Sequence, residues 1–172
     1  MHKYFTIMAV FVAALFAVVV TLGFQAQLNH AKVHLATAFF LVVALLFVHS
    51  LVIFFLIGSG RAIREAIHER PWSKPYLSRI NVLRLKSFPW ALGSMVSGIL
   101  AAWSGAGAHT GAWSTQVHRG VAVACLGINL FGFAVEWLQL RANSRMIHEL
   151  QAKLDAEAPP AAEAPVGEGA QV

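Results

Sequence analysis

Four apolar runs and a shortage of charged residues predict an all-α protein, a bundle of four transmembrane helices with both termini on the cytoplasmic side. Of the 172 residues, 58% are hydrophobic and 12% are Asp, Glu, Lys or Arg, whereas an ordinary soluble domain is roughly 25% charged. Crossing a hydrocarbon layer of about 30 Å takes about 20 predominantly apolar helical residues, and each run approaches or exceeds that length. The composition excludes a water-soluble enzyme and a disordered chain, and the single cysteine, Cys125, excludes a disulfide-stapled scaffold.

The first span, residues 4–24, follows Lys3. Its apolar stretch exceeds the usual 7 to 15 residues of a secretory leader, and cleavage after Ala26 would place Phe24 where a small residue is needed, so it is read as a retained span. The second covers residues 33–57, the third is the shorter run 88–104, and the fourth, 121–140, carries one charge, Glu136. Together residues 1–154 form one integral membrane domain. Residues 155–172 are Ala, Pro, Glu and Gly with almost no large apolar side chain, which predicts a disordered tail.

The net charge of +5 comes from basic residues that sort to one side. Arg61, Arg64, Arg70, Lys74, Arg79, Arg84 and Lys86 lie between spans two and three, and Lys3, Arg141, Arg145 and Lys153 flank the ends. By the positive-inside rule these put both termini and a basic middle loop in the cytoplasm, in the cell's inner (plasma) membrane. Basicity therefore reads as topology, with the lipid bilayer as partner and no nucleic acid. Trp103 and Trp113 on the outer side and Trp72, Tyr76 and Trp90 on the inner side are placed for interfacial anchoring.

Past Gly58 and Gly60, span two is expected to continue as a cytoplasmic helix until Pro71, because Arg61, Arg64, Glu65 and Glu69 keep helical spacing. Leu77 to Lys86 reads either as a short segment lying on the inner leaflet or as a plain loop. Pro89 is expected in the first turn of span three. Ser94, Gly98 and Ala102, and Gly120 with Ala124, give small-xxx-small spacing for helix packing.

Ionisable groups inside a span are costly and tend to face the bundle interior. On span four, His118 and Glu136 are eighteen residues apart, five helical turns, so they share a face with Ala122, Cys125, Asn129 and Gly132. On span two, His34 and His49 are separated by about 22 Å along the axis. Spans two and four run in the same direction, which brings His34 level with His118 near the outer face and His49 within about a turn of Glu136 further in. Met95 of span three lies near that inner level.

Paired histidines on two helices suit two axial imidazoles on one haem iron, with Lys32 and Arg119 placed to balance haem propionates. A Zn or Cu site drawing on His30, His34, His109 and His118 is the alternative. Glu136 is expected to meet Arg141 or the loop arginines at the inner interface. Its other reading is a proton-linked or quinone-linked pair with His49. In layout the chain resembles a small membrane-anchor cytochrome b, a likeness resting on span count and paired histidines. It implies haem b and an electron-transfer or anchor subunit that works beside other membrane subunits or as a homo-oligomer. Two other classes fit the same residues: a cofactor-free accessory subunit and a small metal-ion handling or transport protein. Dinucleotide, nucleophile-elbow and Cys-x-x-Cys motifs are all missing from the sequence, so a non-catalytic membrane subunit is expected.

Overall fold

The computed structural model describes residues 2–25 and 31–157, and these form four helices: α1 (His2–Gln25), α2 (Ala31–Ile67), α3 (Ser73–His109) and α4 (Thr115–Glu157). All four are long and apolar enough to cross a membrane. Neighbouring helices pack as α1–α2, α2–α3, α3–α4 and α4–α1, while α2 and α4 meet across the middle of the bundle. The end holding the start of α1, the end of α4 and the α2–α3 connection is termed proximal. The opposite end, with the α1–α2 and α3–α4 connections, is distal.

The core along the apolar stretch is built from Val12, Phe16 and Val19 of α1, Leu41, Leu45, Val48 and Val52 of α2, and Cys125, Phe133 and Leu140 of α4. Phe39, Phe47 and Phe54 of α2 point outward instead, and all three are more than half exposed. An apolar exterior over such length is what a helix bundle presents to lipid. At the distal turn, Thr110 donates its N–H to the Ala106 carbonyl and Gly111 adopts a positive φ of 77°, the left-handed residue that ends α3.

At the proximal end the structure departs from the sequence reading. Residues 77–86 belong to α3, neither a surface segment nor a loop, and only residues 68–72 separate α2 from α3. The basic residues assigned to a middle loop therefore lie mostly on helices, Arg70 being the exception. Pro89 sits deep inside α3 rather than in its first turn, and α4 runs on through Asp155 to Glu157, three residues into the expected tail. Residues 158–172 lie outside the described residues. The physical reason is a second apolar cluster, in which Ile63 and Ile67 of α2, Ile80 and Leu83 of α3, and Met146 and Leu150 of α4 are buried together. This cluster rewards continuing three helices well beyond the hydrocarbon, since 37 residues of α2 span about 55 Å. Gly60 sits where Ile80 and Arg84 press against α2, so it is a packing notch, while a Cβ on Gly58 would meet nothing within 4 Å. Of the small-residue stripes, Ser94 and Gly98 are buried, but Ala102, Gly120 and Ala124 are exposed.

Ion pairs tie the proximal extension together. Arg70 donates to Glu157, and Arg79 donates to Glu149 at 2.7 Å. The Arg79 hydrogen bond holds the Glu149 carboxyl below the usual carboxylate range. A carboxyl lowered in this way adds stability above its unfolded-state pKa and loses that contribution as the pH falls through its folded value. Glu149→Gln is therefore expected to flatten the acid limb of melting temperature against pH. The effect is small, because the pair is exposed and screened by salt.

Candidate functional site

Two polar clusters interrupt the apolar interior, one at the distal end and one at mid-bundle. The distal cluster contains His34 and His118, both half-buried, with ring centroids 6.3 Å apart and planes inclined by 69°. Each ring is held by the helix that precedes its own. His34 Nδ1 lies 3.2 Å from the Val19 carbonyl of α1, and since a carbonyl only accepts, Nδ1 carries the hydrogen. His118 Nδ1 lies 3.0 Å from Ser104 Oγ of α3, whose own hydrogen goes to the Ala101 carbonyl. Ser104 must therefore accept from His118 Nδ1. In both residues the remaining Nε2 keeps its lone pair, and neither Nε2 makes a hydrogen bond among the described residues.

Glycines make room for both rings. A Cβ on Gly23 would stand 3.1 Å from His34 Cε1, and one on Gly105 would stand 3.0 Å from His118 Cε1. Gly105→Ala is expected to push the His118 ring off Ser104 and weaken any ligand held by Nε2 without unfolding the bundle, as measured by ligand titration beside circular dichroism. Arg119 stacks over Phe24 with its guanidinium carbon 5.6 Å from the ring centroid, while Lys32 is exposed. His109 is exposed at the end of α3, and His30 lies outside the described residues. Among the described residues no three His, Cys, Asp or Glu side chains converge as a metal site.

The mid-bundle cluster is fully buried. His49 Nδ1 lies 2.8 Å from Glu136 Oε1 and His49 Nε2 lies 3.0 Å from Asn129 Oδ1, all three residues being 0% exposed. The expected meeting of Glu136 with Arg141 or the loop arginines does not occur. Arg141 instead stacks over Trp137, 5.2 Å from its ring centroid. Stacked on Phe133 at 5.0 Å, the His49 ring is fixed in plane. Met95 comes to this level as its spacing predicts, accepting from Ser50 at 3.6 Å.

Sequence reasoning placed Asn129 on the shared face of span four but missed it as the second partner of His49. The Asn129 amide nitrogen donates to the Cys125 carbonyl at 2.8 Å and to Ser97 Oγ at 3.1 Å, while Ser97 donates to the Ser94 carbonyl at 2.8 Å. With the amide oriented this way, Oδ1 faces His49 and can only accept, so His49 Nε2 carries a hydrogen. One proton is then shared between His49 Nδ1 and Glu136 Oε1, whether the pair is written as imidazolium and carboxylate or as neutral imidazole and carboxylic acid. The seven-residue spacing of Asn129 and Glu136 on one helix face was the signal available. With both ring nitrogens engaged, His49 is not a free ligand, unlike His34 and His118.

Compared with known families, curated proteins and solved structures, the chain matches no family model, no curated protein and no solved structure.

Proposed function

We propose that the protein is a small b-type haem-binding membrane subunit that carries electrons, with His34 and His118 as axial ligands near the distal end. The observation that carries this reading is the pair of Nε2 lone pairs, each on a ring whose Nδ1–H is held by an oxygen acceptor. Ligating histidines nearly always donate their other N–H in this manner. His34 and His118, with ring centroids 6.3 Å apart, would hold the haem iron through these two Nε2 atoms, and the iron would supply one-electron chemistry. Among the described residues two imidazoles converge without a third His, Cys, Asp or Glu, which suits an iron carried in a haem ring better than a bare Zn or Cu ion wanting a third side chain.

The distribution of basic residues supports a proximal end in the cytoplasm and a distal end on the outer side of a plasma membrane. Arg119 and Lys32 then supply positive charge at the haem's outer edge. Without a catalytic motif, the role is that of a subunit between redox partners, acting beside other membrane subunits or as a homo-oligomer. The test is an absorption spectrum of detergent-purified protein from haem-supplemented cells, before and after dithionite. A Soret band and a reduced alpha band are expected. A colourless protein overturns the reading in favour of a cofactor-free accessory subunit, and stoichiometric copper or zinc would favour metal handling.

A further inference from the structure

We propose that the His49–Glu136 pair is a proton-exchange site at the middle of the bundle, reached by water from the proximal end along the α3–α4 seam. The pair already shares one proton, as the orientation of Asn129 requires. Its second carboxylate oxygen, Glu136 Oε2, has no hydrogen-bond partner among the described residues, and the same holds for Ser94 Oγ and Ser87 Oγ. All three residues are 0% exposed. An orphaned buried polar atom is costly, more so when charged, and folded proteins satisfy such atoms with ordered water.

The orphaned atoms follow one line. Ser97 bonds Asn129, and a Cβ on Gly132 would stand 2.5 Å from Ser94 Oγ, 3.7 Å from the Trp90 carbonyl and 3.8 Å from His49 Cε1. These contacts set the antiparallel register of α3 and α4. Each turn toward the proximal end of α3 is matched by a turn of α4, so Glu136 lies opposite Trp90 and Ala91, and Ser87 lies a turn nearer the proximal end. Beyond it the buried Asn143 donates to Ser59, which is half-buried. On the distal side the polar line stops at Ser97 and Cys125, where the buried Leu41 and Leu45 and the packed Ala101 intervene before Ser104 and His118. The polar line thus ends distally at Ser97 and Cys125, while proximally it runs past the buried Ala91 and Leu140 by way of Ser87.

Uptake places a proton from water on Glu136 Oε2. An O–H bond forms there, hydronium reverts to water, and the pair becomes imidazolium plus carboxylic acid with one net positive charge; release reverses each step. From α2 only His49 faces Glu136 as a titratable group. From α3 come Ser94 and Ser97, from α4 Asn129 and, one contact further away, the Cys125 thiol. Nearby on α1 is the apolar Phe5, packed on Phe133. No other charged side chain faces the pair among the described residues.

Infrared difference spectroscopy of the full chain in lipid films tests this. A carboxyl C=O signal should appear on acidification, shift promptly on exchange into heavy water, and vanish in Glu136→Gln. Ser87→Ala and Ser94→Ala should keep the signal and slow its deuterium exchange several-fold. A Glu136 signal that ignores both acid and heavy water would make the pair a sealed structural element. Unaltered exchange in both serine variants would refute the route, and these variants decide the matter even if Glu136→Gln fails to fold. None of the readouts needs a chromophore, so this inference and the distal haem reading fail separately.

Discussion

Alanine in place of His118 is expected to remove the Soret and reduced alpha bands from the purified protein while leaving its helical circular dichroism intact. The His118 ring sits half-buried at the distal end and touches little besides Ser104, Gly105 and His34, so its loss removes a ligand without opening a large core cavity. His34→Ala should behave in the same way. Ser104→Ala is a graded version of the experiment. It takes away the acceptor that fixes the His118 tautomer, and losing such an outer partner typically costs 10- to 100-fold in affinity. Haem titration of the three variants beside the wild type checks the order. If both histidine variants bind haem as the wild type does, the ligand assignment is wrong.

The second large effect concerns stability. His49→Leu and Glu136→Met are each expected to destabilise the bundle by about 2 kcal/mol. That figure lies between the roughly 0.6 kcal/mol average of a hydrogen bond between membrane helices and the ~3–5 kcal/mol lost when a buried ion pair is broken. The intermediate value follows because a chain unfolded within a membrane cannot return the orphaned group to bulk water. Combining the two substitutions removes both partners at once, so the double variant should be far less destabilised than the two single losses added together. Reversible denaturant unfolding in micelles measures the cycle. Additive losses would show that the 2.8 Å contact contributes no coupling.

How much of this could be read from the chain depends on which signal dominates locally. Along the apolar stretches, hydropathy and length are decisive, and the four helices emerge where expected. At the proximal end the spacing of Arg61, Arg64 and Glu65 was enough to carry α2 past Gly60, and it runs to Ile67, whereas the charges of Arg79, Arg84 and Lys86 mask the helical spacing of Ile80 with Leu83, so the start of α3 reads as a surface segment or a loop. Pro89 reads as a helix start because proline is tolerated there most easily, yet α3 continues through it. Matching depth on parallel helices was enough to bring His34 to His118 and His49 near Glu136. Choosing between His49 and Arg141 as the partner of Glu136 was not possible from spacing, because it depends on how α2 and α4 rotate against each other. The role of Asn129 was beyond reach for a related reason, since its amide is oriented by Ser97 on another helix, and helix register is not written in either segment alone.

The anchoring of each distal histidine by the helix before it has a consequence for assembly. Val19 and Gly23 set His34 within the first hairpin, and Ser104 and Gly105 set His118 within the second. The imidazole of each hairpin is thus turned, and its tautomer chosen, by contacts internal to that hairpin. Between the hairpins lie the α2–α3 and α1–α4 packing and the bonds of His49 to Glu136 and Asn129, and a ligand held by both distal histidines would add a clasp across that same seam.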